Sequence, residues 1–319
     1  MMWDFINYAQ IGKNHLKENI PCQDKTLVNK ENDVYFIGLA DGAGSVKYSD
    51  IGANQALQSI QKYICFNFDM VINNKNALIV KKLILNEILM GLRFQAENRN
   101  CDLKQLASTI LFVAIKKDLC IICHLGDGVI GALKNHKLIV VSKPQNGEFS
   151  NTTVFTTSID ALSSMKLFKG NTKDIEGFVL MSDGTANSFY QKKTNMLAPV
   201  IAKIIEKIKI SSGKKIQKDL EENFDIVINN TQDDCSIAFL VKNENKISDY
   251  WQMNIYQKIR FWNLSYSRKS KKRVRKYELI IHYCNEGKSK QQIAKKLYIK
   301  SKYIMKYLNR CKQYNKLLL

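Results

Sequence analysis

Short apolar runs rich in β-forming residues punctuate the first 242 residues, and aspartates stand at their ends. Residues 34–40 (VYFIGLA), 109–115 (TILFVAI), 119–125 (LCIICHL), 178–181 (FVLM) and 236–241 (SIAFLV) read as buried strands. Asp41-Gly42, Asp127-Gly128 and Asp183-Gly184 follow three of them, Asp233-Asp234 precedes the last, and Gln23-Asp24 precedes a further candidate strand. Helical periodicity fills the intervals: 53–65, with Ala53, Ala56, Leu57, Ile60 and Ile64 on one stripe, then about 77–97 and about 197–209. Residues 142–176, punctuated by Pro144, Gly147 and Gly170, read as irregular.

Each Asp-Gly alone is a hairpin-turn signal, because both residues tolerate positive φ. Their recurrence opens a second reading. Aspartates at the tips of several buried strands can share one edge of a sheet sandwich. Carboxylates brought that close repel, and cannot all stay ionised without a cation. With almost no His or Cys nearby, such a cluster selects a hard divalent ion, Mg²⁺ or Mn²⁺. Glycine after the aspartate lets the main chain approach the ion.

The ordered set Gln23-Asp24, GLADGAGS, STILFVAI, HLGDGVIGAL, FVLMSDG and DDCSIAFLV resembles the metal-dependent serine/threonine phosphatases of the protein phosphatase 2C type, the compact bacterial branch most of all. The likeness runs from about Gly12 to Val241. It implies an α+β fold, an α-β-β-α sandwich of two antiparallel sheets flanked by helices, over residues 1–242. It also implies hydrolysis of phosphoserine and phosphothreonine in proteins by a metal-activated water, with two Mn²⁺ or Mg²⁺ ions and room for a third. By position, Asp41 resembles the carboxylate that bridges the two ions, and Gly42 offers its carbonyl. Asp183 and Asp233 resemble the other ligands of the first ion, and Asp24 the acidic residue near the second. Asp127, with Asp183, resembles the holder of a third. Asp234 stands where the family usually has Asn, which leaves open which of Asp233 and Asp234 is the ligand. Some relatives place a phosphate-gripping Arg where this chain has Asn19; His15, Lys13 or Lys17 are candidate substitutes. Animal-type relatives carry a His where this chain has Ala43, and bacterial relatives lack it. On this reading Asp41, Asp183 and His15 are the candidate catalytic residues, and the partners are phosphorylated proteins, the products of a Ser/Thr kinase.

Other chemistries find little support. Gly42, Gly44 and Ser45 lack the G-K-[ST] or G-x-G-x-x-G context of a nucleotide cradle, and no Cys-x5-Arg phosphatase loop occurs. The Cys120 and Cys123 pair has metal-like spacing, but residues three apart in a strand face opposite ways and no second pair completes a zinc site. The eight cysteines mostly lie in apolar runs and read as reduced thiols of a cytoplasmic protein. The N-terminus lacks the pattern of a signal peptide, and no apolar segment approaches the roughly 20 residues that a membrane span needs.

Charge divides the chain. From Asn243 onward there are 20 Lys and Arg against 4 Asp and Glu, whereas the preceding 242 residues carry 29 against 25. The chain from Asn243 to about Lys276 is polar to basic and ends in RKSKKRVRK; it reads as a solvated linker, bounded at 243–273, or as a phosphate-binding arm. Residues 274–319 read as a small all-α domain of three short helices. The first, about 274–285, carries Leu279, Ile280 and Tyr283 and is followed by Gly287, and Ser289 and Gln292 form a capping box for the second, with Ile293, Ala294 and Leu297 facing inward. GKSKQQIAKKLYIKSKYIMKYL resembles helix-turn-helix modules, which makes 301–312 the recognition helix, with Lys302, Lys306 and Arg310 on one outer face. Nucleic acid is therefore a candidate partner of 266–319. A DNA-binding regulator with a non-catalytic phosphatase-like domain is the rival to an enzyme.

Overall fold

The computed structural model describes residues 2–145, 153–210, 213–243, 253–262 and 267–304. The chain divides into one unit of residues 1–208 and 216–243 and a second of 209–215 and 244–319.

The first unit is built on two five-stranded sheets in which every pairing is antiparallel. One sheet runs β2 (Lys25–Glu31), β3 (Val34–Ala40), β4 (Ile110–Lys116), β5 (Leu119–Leu125) and β8 (Lys166–Asn171). The other runs β1 (Trp3–Gln10), β12 (Cys235–Lys242), β9 (Ile175–Met181), β6 (Val129–Lys134) and β7 (Lys137–Ser142). A short pair, β10 (Tyr190–Gln191) and β11 (Met196–Leu197), lies apart.

Strand alternation separates the layers. Ile37, Leu39, Leu111, Val113, Cys120 and Ile122 pack against Ile130, Phe178, Leu180, Ala238 and Leu240 between the sheets. Phe36, Phe112, Ile121 and Cys123, on the opposite face of the first sheet, pack under α2 (Ser49–Asn73) and α3 (Ala77–Arg99). The two cysteines of the CIIC run thus belong to different cores. The outer face of the second sheet (Val179, Ile237, Phe239) is covered by α6 (Pro199–Ile210), α7 (Gly213–Asn223) and α8 (Asp225–Ile228). Helix, sheet, sheet, helix is the layering.

The apolar stripe expected over 53–65 is buried, and its helix continues to Asn73 with a break in helical geometry at Asn67. Asn76 caps α3, its side chain accepting the Leu78 and Ile79 N–H groups at 3.1 and 3.2 Å. Residues 142–176 are less irregular than their punctuation indicates: β8 and the short α4 (Ala161–Ser164) lie within them. Pro144 is described, and Gly147 lies outside the described residues. No described helix is long and apolar enough to cross a membrane.

In the second unit, α9 (Ile255–Phe261), α10 (Arg268–Asn285) and α11 (Lys290–Lys296) surround Trp262, Val274, Tyr277, Ile280, Ile281, Ile293 and Ile304. Trp262 stacks on Tyr277 with ring centroids 4.6 Å apart. The capping box of Ser289 and Gln292 is formed, and Gly287 follows α10 with φ +71°. Two differences from the sequence reading stand out. The first helix starts at Arg268 rather than 274, so RKSKKRVRK is helical: Ser270, Val274 and Tyr277 recur at helical spacing among the charges and are buried. Of the apolar residues noted on that helix, Leu279 is 42% exposed, because Ile280 and Ile281 take the inner positions. Residues 301–304 are helical, and Lys306 and Arg310 lie outside the described residues.

Candidate active site and metal centre

Strand register brings the aspartates to one rim. Lys25 pairs with Ala40, so Asp24 and Asp41 flank the same end of the first sheet. Ile110 pairs with Leu125, which places the start of β4 and the Gly126-Asp127 crossover at that end too. On the second sheet Met181 pairs with both Ile237 and Val129, so Asp183, Asp233 and Asp127 converge.

The three Asp-Gly pairs are not hairpin turns with positive φ: among the described glycines only Gly126 and Gly287 have positive φ. The β2–β3 hairpin uses Asn32 (φ 49°) and Asp33 (φ 62°) instead. Glycine is demanded by close approach. A Cβ on Gly42 would meet the Ser49 backbone at 2.8 Å, and one on Gly184 would lie 2.2 Å from the Asp234 carbonyl oxygen. Gly42 extends its strand by a bridge to Ser108.

Local hydrogen bonds hold five of the aspartates. Asp41 N–H donates to Thr109 Oγ1 at 2.9 Å, and Thr109 N–H returns to the Asp41 carbonyl at 2.8 Å. Asp183 opens α5 (Asp183–Phe189) and accepts the Gly184 N–H at 2.6 Å. Asp127 accepts the Thr153 hydroxyl at 2.5 Å. Asp233 accepts the Asp234 N–H at 2.8 Å and is exposed. Asp234 turns inward: its two oxygens accept the Gly12 and Gln23 N–H groups, each at 2.6 Å, and its side chain is 2% exposed. His15 Nδ1 lies 3.0 Å from Asp234 Oδ1, a charge contact without the direction of a hydrogen bond. His15 thus joins the rim through Asp234.

Burial and mutual repulsion raise the carboxyls of Asp24, Asp41, Asp183 and Asp233. Asp41 is pushed well above the usual range, first by burial, then by Asp24, Asp183, Asp127 and Asp233. Asp24 rises to about 7 through burial, opposed by the Ser182 and Ser236 hydroxyls and reinforced by Asp234 and Asp183. Asp183 rises to about 7, again through burial first, with Asp127 and Asp233 adding to it. Asp233, although exposed as a residue, has its carboxyl raised first by partial desolvation, with Asp234 and Asp127 adding and the Asp234 N–H and His15 opposing.

Both Asp24 oxygens are buried without a hydrogen bond of ordinary geometry. An all-oxygen donor set, orphaned buried acceptors and carboxyls that resist ionising together fit hard divalent cations. Among the described residues, no three of these aspartates bring ligand oxygens within 4.8 Å of one another. Among the described residues, the three-residue group whose ligand atoms lie within 4.8 Å of one another is His136, Glu176 and Glu206. His136 belongs to the β6–β7 turn, at the far end of β6 from Asp127. Its N–H donates to Glu176 Oε1 at 2.6 Å, and its Nδ1 lies 2.9 Å from the same oxygen.

A family model described as protein phosphatase 2C matches residues 11–225. The chain belongs to the protein phosphatase 2C family. It is a serine/threonine protein phosphatase, and metal-dependent catalysis is what the family implies. Over 173 residues this phosphatase is 27% identical to serine/threonine-protein phosphatase 3 of Escherichia coli K12, across 53% of this chain and 68% of that protein. Its fold is similar to a bacterial serine phosphatase crystal structure (TM-score 0.56, 12% identity, 76% of this chain and all of that one). It is likewise similar to the catalytic domain of the phosphatase PstP in complex with two manganese ions (TM-score 0.53, 12% identity, 76% and 99%).

Sequence reasoning missed the residues that surround the phosphatase's aspartates. Thr109 sits inside a recognised apolar run, and Ser182 and Ser236 adjoin recognised motifs, so adjacency was their signal. Thr153 had none, because it lies in the stretch read as irregular.

Proposed function

We propose that this phosphatase removes phosphate from phosphoserine and phosphothreonine of proteins at the aspartate rim, using Mn²⁺ or Mg²⁺ held by Asp24, Asp41, Asp127, Asp183, Asp233 and the Gly42 carbonyl. The observation that carries this reading is the cluster itself: strand register brings Asp24, Asp41, Asp127, Asp183 and Asp233 to one rim, where burial and the other four push the Asp41 carboxyl up. A pair of ions supplies a water acidic enough to lose its proton near neutral pH and offsets charge on the phosphoryl oxygens. Asp41, whose carboxyl feels Asp24, Asp183, Asp127 and Asp233, would hold both ions, the role that its family position implies. Asp183, Asp233, Asp24 and the Gly42 carbonyl would supply further oxygens to the pair, and Asp127 with Asp183 would hold a third ion. Asp234 keeps the Gly12 and Gln23 segments in place. His15, with Nδ1 facing Asp234, has Nε2 left to donate to a phosphoryl oxygen where relatives use an Arg and this chain has Asn19.

The substrates in this reading are cytoplasmic proteins phosphorylated by a Ser/Thr kinase. The second unit docks nucleic acid or another partner; its basic excess and exposed Lys302 support this.

Turnover of a phosphothreonine peptide with Mn²⁺ tests the enzymatic half. Wild type is active, Asp183→Asn and Asp41→Ala lose activity at least about a hundredfold, and chelation abolishes turnover. An inactive wild type at every metal concentration would favour the regulator with a non-catalytic domain.

A further inference from the structure

The N-terminal half of α10 presents Arg268, Lys269, Lys271, Lys272, Arg273 and Arg275, all exposed, around the buried Ser270 and Val274. No acidic residue occurs in the helix before Glu278, which is engaged by Lys258 at 2.6 Å. Lys271 lies over the Tyr256 ring. The other five cations have no ion-pair or hydrogen-bond partner among the described residues. The arrangement is locally unfavourable. Arg268–Lys272, Lys269–Arg273 and Lys271–Arg275 are like-charge pairs four apart, and Arg268, Lys269 and Lys271 sit in the first turn, at the positive end of the helix dipole. A helix that concentrates cations against its own dipole, with no internal counter-charge, is matched to an external polyanion.

We infer that this face of α10 is a contact surface for the phosphate backbone of nucleic acid. The inference rests on the docking role proposed for the second unit and places the main contacts on α10, not on the helix that starts at Ser301. Nine residues of helix span about 13 Å, enough to meet several successive phosphates. Three of the six cations are Arg, whose planar fork pairs with phosphate oxygens in bidentate fashion. An anionic membrane fits less well. The exposed side chains of residues 267–276 include no apolar group to insert, since Val274 lies in the core.

The test is fluorescence anisotropy of a fluorescein-labelled 20-base-pair DNA duplex of mixed sequence, titrated with full-length protein between 50 and 200 mM salt. Lys272→Gln/Arg273→Gln/Arg275→Gln is compared with Lys290→Gln/Lys295→Gln/Lys300→Gln, which removes equal charge elsewhere in the unit. Gln is a good helix former and relieves repulsion, so circular dichroism should show helicity retained. Wild type binds with an affinity that falls steeply with salt. The α10 variant loses at least about tenfold at 50 mM, and its log–log salt slope becomes shallower by about 2.7. Phosphopeptide turnover is unchanged, and Asp183→Asn still binds duplex. Equal losses in both triple variants would overturn the assignment to this face. Binding that survives in the α10 variant but is lost in Lys302→Gln would overturn it while sparing the docking role. Wild type that ignores duplex, or binds only phosphatidylserine vesicles, would overturn both.

Discussion

Asp41 and Thr109 hold each other reciprocally. The Asp41 N–H donates to the Thr109 hydroxyl at 2.9 Å, and the Thr109 N–H donates to the Asp41 carbonyl at 2.8 Å. Thr109 is 1% exposed, so the side chain at the centre of the rim is aimed by a buried residue that does not itself face the solvent. Thr109→Val keeps the shape and the main-chain bond but strands the Asp41 N–H. Stability should fall by about 1–3 kcal/mol in urea unfolding. Phosphopeptide kcat should fall at saturating Mn²⁺, because Asp41, the carboxylate proposed to bridge the ions, is less well held.

Adjacent aspartates should behave oppositely. Asp234→Ala removes the acceptor of two buried N–H groups and should cost roughly 2–5 kcal/mol, read as a lowered Tm. Asp233→Ala removes an exposed side chain, so Tm without metal should shift by less than about 1 kcal/mol equivalent while Mn²⁺ affinity drops. Equal destabilisation by the two would contradict the inward and outward orientations described above.

Asp183→Asn should make the metal-free protein more stable at pH 8, because it removes one charge from a set that resists ionisation. The folded carboxyl titrates near 7 and the unfolded one near 3.8. The folded state therefore holds its proton longer, and metal-free stability declines as pH rises from about 4 through 7. Above that range the penalty is complete, and relieving it should gain roughly 1–4 kcal/mol. The same variant should lose most of the Mn²⁺-induced rise in Tm that wild type shows.

His124 gives the opposite pH signature. It is fully buried on β5, with Nδ1 2.7 Å from Ser142 Oγ, and burial lowers its pKa to about 3, with Lys166 adding to the shift. A folded pKa below the unfolded value means that the unfolded chain takes up the proton first. The stability that His124 contributes is present above about pH 6.5 and is lost as pH falls toward 3. At pH 5 the loss is about 2 kcal/mol. The difference in Tm between wild type and His124→Asn should narrow as pH drops from 7.5 to 5, and an unchanged difference would refute the burial argument.

Legibility followed burial. VYFIGLA and LCIICHL were recognisable because strands covered on both faces are apolar throughout. WDFINYAQ, which forms β1 at a sheet edge, and KLFKGN, which forms β8, escaped because partly exposed edge strands carry polar residues. RKSKKRVRK was read as linker or arm because seven charges mask a helical spacing of only three inward residues, Ser270, Val274 and Tyr277.

Composition and order alone established that aspartates terminate apolar strands, and that recurrence was enough to point to a sandwich and to hard cations. Whether an Asp-Gly was a turn could not be read locally, since the dipeptide suits a positive φ and a tight chain crossing equally well. Only the packed structure decided it, by bringing Ser49 against Gly42 and the Asp234 carbonyl against Gly184. The division of labour between Asp233 and Asp234 was likewise tertiary. Two identical neighbours differ only in what the fold sets opposite them: solvent and the rim for one, the Gly12 and Gln23 N–H groups for the other.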